Sequence, residues 1–323
     1  MSPEQPIPSN LIPDPADYGF DLDAALASVV LVRTTIPADA FTAGPLGTER
    51  GGYGVLIRGD GLVLTIGYLV TEAETVWLTL TDGRAVPGHV LGYDQETGFG
   101  LIQALARLDL PALPLGNSAA ARVGDAVVVG GAGGRERSVA ARIVAKQEFA
   151  GYWEYLLDEA IITAPAHPHW GGAALIGEDG RLLGIGSLLV QSSGGGGKAE
   201  DHNMVVPIDL LPPILDDMLT LGRPRRPARP WLGVYVTEIE GRVVVANLAD
   251  AGPAAGAGVR AGDLILAAGD GEVDCLATFY RRVWAQGPAG VAVPLRIYRD
   301  GKARELTVPS ADRNDFLKSP VAH

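Results

Sequence analysis

The sequence has 323 residues, of which 47% are hydrophobic and 6% aromatic, and its formal net charge is −12 at pH 7. A chain of this length and composition can bury sizeable hydrophobic cores and is expected to form about two domains of ordinary size. The negative charge argues against nucleic acid and anionic membranes as partners, because both are polyanions and would repel the chain.

The beginning of the chain predicts a flexible or loosely docked arm. Residues 1–24 are rich in proline and acidic residues, and they show neither a basic region nor an apolar run of the kind that a secretory signal requires. Nowhere does an apolar run approach the roughly 20 residues that span a bilayer. We therefore expect no membrane span and, from the sequence alone, a cytoplasmic location.

Short apolar or alternating segments separated by turn residues predict a β-rich chain from residue 29 onward. Asp-Gly pairs at 60–61, 82–83, 179–180 and 300–301 each stand between two such segments, and this dipeptide is a strong hairpin signal. The predicted strands before the C-terminal third are Val29–Val32, Val55–Ile57, Leu62–Leu64, Val76–Leu80, Val86–Leu91, Val123–Val129, Val139–Gln147, Tyr155–Thr163 and Leu182–Val190. They favour an antiparallel, all-β-dominated architecture.

Later in the chain the pattern changes twice. A helix is predicted to end near Leu221, and residues 222–230, with four arginines and three prolines, predict a stiff, extended linker. A second domain is then expected over residues 231–309, with a helix at Leu276–Gln286, a closing hairpin at Val291–Val308, and a tail at 310–323.

Three stretches of the first domain can each be compared with a known sequence motif. Residues 64–70 read Leu-Thr-Ile-Gly-Tyr-Leu-Val, residues 94–101 read Asp-Gln-Glu-Thr-Gly-Phe-Gly-Leu, and residues 171–175 read Gly-Gly-Ala-Ala-Leu. They resemble Leu-Thr-Asn-Asn-His-Val-Val, Asp-Pro-Arg-Thr-Asp-Leu-Ala-Val and Asn-Ser-Gly-Gly-Pro-Leu, the triad motifs of the HtrA/Deg family of chymotrypsin-like proteases. The resemblance implies a double six-stranded β-barrel over residues 25–221.

The same resemblance implies that the triad is lost. Tyr68 stands in the position of the histidine base and Gly98 in that of the orienting carboxylate, while Gly171 or Gly172 falls on the serine, and we adopt Gly171. A serine hydrolase needs an activated hydroxyl and a base with a pKa near the working pH. Tyrosine, with an ordinary pKa of about 10, is protonated at neutral pH and cannot take a proton from an alcohol.

A second resemblance covers residues 231–309. Residues 252–266, Gly-Pro-Ala-Ala-Gly-Ala-Gly-Val-Arg-Ala-Gly-Asp-Leu-Ile-Leu, match the pattern of a PDZ domain. Trp231-Leu232-Gly233-Val234 resembles the entry to its peptide groove, which implies that amides around Leu232 and Gly233 receive a peptide carboxylate, with Arg229 adding charge. PDZ grooves accept an extended C-terminal peptide as an added strand.

Other candidate sites give weaker indications of a chemical function. Gly130–Arg135 is glycine-rich but has no following Lys-Ser/Thr, so it does not predict a phosphate site. The pair His167 and His169 lacks further ligands of metal-site spacing, and the single Cys275 adds none. We expect neither a cofactor nor a metal.

Three functions follow as hypotheses. The first is an inactive HtrA-like pseudoprotease that binds protein C-termini or extended peptides through its PDZ domain. The second is an endopeptidase with a non-standard nucleophile such as Thr163 or Ser187, and the third is an inactive subunit of a mixed HtrA oligomer. Family likeness also implies a homo-oligomer, commonly a trimer, and gives the periplasm as the alternative location.

Overall fold

A computed structural model of the chain describes residues 6–193 and 199–318. The chain divides into two compact units. The first comprises Met1–Gln147, Glu159–Arg225 and Lys318–His323, and the second comprises Glu148–Asp158 and Arg226–Leu317. The ends of the predicted arm and tail, residues 1–5 and 319–323, lie outside the described residues.

The first unit contains a closed antiparallel barrel with the strand order β1-β2-β3-β6-β5-β4. Its strands are β1 Val29–Thr35, β2 Glu49–Arg58, β3 Leu62–Ile66, β4 Thr75–Thr79, β5 Ala85–Tyr93 and β6 Phe99–Ala104. All five residues of β3 are buried, as its nearly continuous apolar sequence requires. The base and acid motifs of the resemblance follow β3 and precede β6, two strands that pair directly.

A second closed barrel has the order β10-β11-β12-β9-β8-β7 and lies in the same unit, except for the ends of β8 and β9 within Glu148–Asp158. Its strands are β7 Ala126–Gly130, β8 Ser138–Gly151, β9 Tyr155–Ala164, β10 Ala174–Ile176, β11 Leu182–Ser193 and β12 Ala199–Pro207. The glycine run of the serine-like motif lies directly before β10. The predicted double six-stranded barrel is confirmed.

Helices are few in this unit. They are α1 Leu22–Ala27, α2 Ala43–Leu46 and α3 Pro212–Leu221. Helix α3 begins with a proline, whose missing N–H costs nothing in the first turn, and it ends at Gly222, which has a φ of +73°.

The second unit is built on an antiparallel sheet with the order β13-β14-β15-β17-β18, and β16 pairs with β15. The elements are β13 Val234–Ile239, β14 Arg242–Leu248, α4 Pro253–Gly256, β15 Leu264–Ala268, β16 Gly271–Glu272, α5 Leu276–Trp284, β17 Ala292–Arg299 and β18 Lys302–Pro309. Strand β13 is therefore an edge strand. Helix α5 buries Phe279, Tyr280 and Val283 in the core of this unit and ends two residues before the sequence-based boundary.

The Asp-Gly hairpins are confirmed at all four sites, since strands pair across each of them. At the tip between β17 and β18, Asp300 and Gly301 have φ angles of +52° and +77°. Two successive left-handed residues define the hairpin turn that this dipeptide favours.

No helix within residues 6–193 and 199–318 is long and apolar enough to cross a membrane.

Candidate functional site

Tyr68 lies in a single 3-10 turn, Gly67–Leu69, that directly follows β3. Its hydroxyl donates a hydrogen bond to the main-chain oxygen of Ser187 at 2.9 Å. Desolvation of the hydroxyl raises the pKa of Tyr68 well above its ordinary value, against the opposing effect of a hydrogen bond with Trp170. The phenol is therefore protonated at neutral pH and serves as a hydrogen-bond donor, not as a base.

The structure brings Tyr68 and Gly171 together. A Cβ atom built on Gly171 would lie 2.7 Å from the Tyr68 hydroxyl oxygen, closer than real Cβ contacts come. The carbonyl oxygen of Gly171 accepts a hydrogen bond from the amide of Tyr53 at 2.7 Å. Residue 171 thus has no room for a side chain while the tyrosine keeps its place.

Gly172, the other position that could match the serine, is closed for a different reason. It has a φ of +80°, and a Cβ atom there would lie 1.9 Å from the carbonyl oxygen of Tyr53. Both the left-handed backbone and the main-chain contact require glycine.

Gly98 joins the same region through the main chain. It has a φ of +82°, and its carbonyl oxygen accepts a hydrogen bond from the amide of Gly67 at 2.6 Å, next to Tyr68. An aspartate at this position would be strained by the left-handed backbone conformation. The structure therefore places the three positions that the resemblance matched to the triad in one region, where Tyr68 presents a hydroxyl that acts as a hydrogen-bond donor and Gly98 and Gly171 have no side chain.

Amide groups around the glycine run are engaged within the chain. The amide of Gly172 donates to the oxygen of Gly186 at 2.8 Å, that of Ala173 to Trp170 at 3.0 Å, and that of His169 to the Nδ1 atom of His167 at 3.0 Å. An oxyanion hole needs main-chain donors that point freely at the substrate. These three amides are not such donors in this conformation.

His167 has a structural role. It is fully buried, and its Nδ1 atom accepts from the His169 amide while the Nε2 atom lies 2.8 Å from the oxygen of Arg137. These partners assign the neutral tautomer with the proton on Nε2. Burial lowers the pKa of His167 to about 4, and in the described ranges no group of three potential metal ligands occurs.

The alternative nucleophiles lie on strands. Thr163 on β9 is fully buried, and its hydroxyl oxygen has no hydrogen-bond partner among the described residues, so no base is in contact with it. Ser187 on β11 is also buried, and its main-chain oxygen is the acceptor for Tyr68.

In the second unit the predicted groove entry forms a carboxylate-binding loop. The Oε1 atom of Glu154 accepts hydrogen bonds from the amides of Gly233 at 2.8 Å and Val234 at 3.1 Å, and the Oε2 atom accepts from Leu232 at 3.0 Å. Gly233 has a φ of +75°, which turns successive amides toward one point. The amides of Leu232 and Gly233, which the resemblance assigned to a peptide carboxylate, converge on a carboxylate together with that of Val234.

The carboxyl group of Glu154 is held at an electrostatic cost. Burial raises its pKa from 4.5 to about 7, whereas the hydrogen bonds from Leu232, Val234 and Gly233 and the charge of Arg313 act in the opposite direction. Desolvation is the larger effect here.

The other predicted groove residues lie elsewhere in this unit. The Arg229 guanidinium stacks over the Trp284 ring at 4.0 Å from its centroid. Trp231 packs against Phe316, with ring centroids 4.8 Å apart, and pairs with Ala311. The structure thus groups Leu232, Gly233 and Val234 on the carboxylate, and it places Arg229 and Trp231 in aromatic contacts.

Sequence reasoning missed Glu154 and Tyr280. Glu154 is 78 residues before Leu232, and no spacing rule connects them. One signal was present, because the turn between β8 and β9 reads Gly-Tyr-Trp-Glu-Tyr, and such an aromatic turn predicts a docked surface better than a solvated one.

Comparisons with known proteins agree with this architecture. Residues 52–185 match a trypsin-like peptidase domain, and residues 230–309 match a PDZ domain. A "Probable periplasmic serine endoprotease DegP-like" of Chlamydia pneumoniae is 27% identical over 288 residues, covering 83% of this chain and 57% of the relative. The protein of that name from Halomonas elongata is 28% identical over 280 residues, with the same coverage.

Solved structures support the fold. The "HtrA-type protease AlgW with tripeptide" superposes with a TM-score of 0.53 at 22% identity, covering 93% of this chain and 97% of that one. A serine endoprotease from Yersinia pestis gives a TM-score of 0.52 at 21% identity, covering 91% and 98%.

A trypsin-like double barrel followed by a PDZ domain defines the class of protein. In this domain organisation, and in its similarity to DegP-like relatives, the chain resembles the HtrA/Deg family. It spans about 57% of the length of the curated relatives that it matches first.

The expectation of a cytoplasmic location is wrong. It rested on the first residues of the sequence alone, whereas the relatives are named periplasmic endoproteases, which points to the periplasm.

The contact between residues 68 and 171 predicts a specific coupling. Gly171→Ala should lower the free energy of unfolding by about 1–3 kcal/mol, a usual cost of overpacking. In a Tyr68→Phe background the added methyl group should cost less, because the nearest ring carbon is 3.6 Å away. Urea unfolding of the four proteins in this double-mutant cycle measures the coupling.

Gly172→Ala is the matched control. Its obstruction is the carbonyl of Tyr53, so Tyr68→Phe should not relieve it. Equal relief at both glycines, or none at Gly171, would refute the proposed contact.

Proposed function

We propose that this chain is a non-proteolytic member of the HtrA/Deg family that binds protein C-termini or extended peptides through its PDZ domain. For the first domain, the proposal is supported by the packing of a protonated Tyr68 against Gly171. That contact puts a hydrogen-bond donor in the place of the base and leaves no space for a nucleophilic side chain. Removing a triad member alone costs several orders of magnitude in rate.

The carboxylate-binding loop supports the second half of the proposal. Three amides of residues 232–234 already hold a carboxylate at hydrogen-bonding distance, which is the recognition chemistry that a peptide C-terminus needs. The edge position of β13 supplies main-chain groups to which an extended peptide can add. The similar HtrA-type protease AlgW was solved with a tripeptide, which is in keeping with peptide recognition here.

The location and the assembly are part of the proposal, the first supported by the relatives' names and the second by family resemblance. We place the binding activity in the periplasm, where the curated relatives are named as acting. A homo-oligomer, a trimer by family resemblance, is part of the proposal.

The purified chain should not cleave unfolded casein above the buffer rate, because Gly171 offers no nucleophilic side chain and Tyr68, in the position matched to the base, is a protonated hydrogen-bond donor. Fragment release is followed by gel and mass spectrometry, with an active DegP-like relative as the positive control. Thr163→Ala and Ser187→Ala test whether either hydroxyl is the nucleophile of any cleavage that is seen. Cleavage that co-purifies with the chain and disappears in either variant would establish the non-standard endopeptidase instead.

The PDZ domain should discriminate free from amidated C-termini. Amidation replaces one acceptor oxygen by an NH₂ group that faces N–H donors, so binding should weaken by about tenfold. The assay is fluorescence anisotropy with a decapeptide pool ending in valine, leucine or phenylalanine, at fixed pH and on the full chain. Equal binding of both pools would show that residues 232–234 do not receive the terminus.

A further inference from the structure

The tip of the β8–β9 hairpin, Glu148–Asp158, belongs to the same compact unit as the PDZ domain. We call this segment the hairpin tip. It contacts each of the parts that form a PDZ peptide groove: the carboxylate-binding loop, the edge strand β13 and the helix α5.

At the carboxylate-binding loop the hairpin tip supplies the side chain of Glu154. Its two oxygens engage the amides of residues 232, 233 and 234, and the residue is only 7% exposed. Glu154 also has a φ of +59°, a left-handed conformation that a non-glycine residue adopts only where the surroundings impose it. The turn is shaped to deliver this carboxylate.

Contacts on either side of the carboxylate follow the groove. The amide of Val236 on β13 donates to the main-chain oxygen of Tyr152 at 2.9 Å, a contact of the kind that an added strand makes. On α5, the Tyr280 hydroxyl donates to the oxygen of Gly151 at 2.6 Å and accepts from the amide of Glu154 at 3.3 Å.

The base of the hairpin tip is fixed by packing and by charge. Leu156 is 7% exposed and is part of the same buried cluster as Val236 and Phe279. Arg281 on α5 pairs with Glu148 at 2.5 Å and with Asp158 at 2.7 Å, all on partly exposed side chains. The arrangement anchors the hairpin at its base and leaves Glu154 at the turn as the group that fills the loop.

We propose that the hairpin tip is an internal ligand of the PDZ groove, in which Glu154 takes the place of a peptide's terminal carboxylate, so that a C-terminal ligand binds only by displacing it. This inference rests on the proposed peptide-binding function. The two occupants exclude each other because each amide has one hydrogen to donate and both require the same three amides. The observed binding strength for an external peptide is then reduced by the fraction of molecules in which the tip is docked.

Glu154→Gly is the variant that isolates the carboxylate. Glycine adopts the left-handed φ of this position without strain, so the turn is retained while the internal ligand is removed. Glu148→Gln is the matched control, because it changes another glutamate of the hairpin tip that bonds Arg281 and not the loop amides.

The experiment measures anisotropy of the labelled decapeptide pool with free hydrophobic C-termini on full-length wild type, Glu154→Gly and Glu148→Gln. Glu154→Gly should bind about tenfold more tightly than wild type, because the competitor for the three loop amides is removed, and the control should change little. Hydrogen exchange of the amides of residues 232–234 in the unliganded proteins should rise in Glu154→Gly alone.

The outcomes separate this inference from the function on which it rests. Equal, saturable binding by wild type and Glu154→Gly would leave peptide binding in place and overturn the internal ligand. Binding by neither protein would overturn the peptide-binding function and, with it, the displacement. Unchanged exchange at residues 232–234 would overturn the docking of Glu154 even if the variant failed to bind peptide.

A pH series gives a second, independent readout. Burial raises the pKa of docked Glu154 to about 7, in surroundings that include Arg313, Tyr235, Tyr280 and the Arg281 pair with Glu148 and Asp158. Docking therefore takes up a proton: it is strongest below the ordinary carboxyl pKa and weakens as the pH rises through about 7.

The ratio of peptide affinities between Glu154→Gly and wild type should accordingly shrink from about pH 5 to about pH 8. A ratio that grows with pH, or that is constant over this range, would contradict a docked and buried Glu154.

Discussion

The Tyr68 hydroxyl is fixed between the main chain of Ser187 and the bare Cα of Gly171, and the character of the first domain depends on this contact. The donor has a satisfied acceptor and a desolvated environment, so its proton stays in place. Because residue 171 is glycine, it has no Cβ atom to collide with the Tyr68 hydroxyl, and its carbonyl oxygen accepts a hydrogen bond from the amide of Tyr53.

The PDZ domain, unlike the first domain, has the groups that its binding site needs. Its carboxylate-binding loop keeps three converging amides, and the left-handed Gly233 that aims them is retained. Desolvation makes the bound Glu154 an imperfect ligand, since its charge is buried at a cost that the hydrogen bonds only partly offset. An internal ligand of this kind holds the loop in a binding geometry and can still be exchanged for a better one.

Sequence patterns were sufficient for the local parts of this structure. Asp-Gly turns and alternating strands depend on neighbouring residues, so the hairpins and most strands could be predicted, whereas the closure of the strands into two barrels was implied by the family resemblance. Motif alignment also found Tyr68, Gly98 and the glycine run, because these positions follow strands whose pattern is clear.

Contacts between distant segments could not be predicted in this way. The hydroxyl of Tyr68 lies near residue 171, more than a hundred positions away, and Glu154 accepts a hydrogen bond from Leu232, 78 residues later in the chain, within the second unit. Neither pair has a characteristic spacing, and both depend on side-chain direction in the folded chain. Arg229 was assigned to the peptide carboxylate by charge, whereas its guanidinium stacks on Trp284.

The central claim is that the trypsin-like domain contains no activated nucleophile. Incubation of the native chain with a fluorophosphonate, followed by intact mass spectrometry, tests this claim without any assumption about substrate. The account predicts an unmodified mass under conditions in which an active DegP-like relative is fully labelled. A stoichiometric adduct mapped to Thr163, Ser187 or any other hydroxyl of the first domain would contradict it.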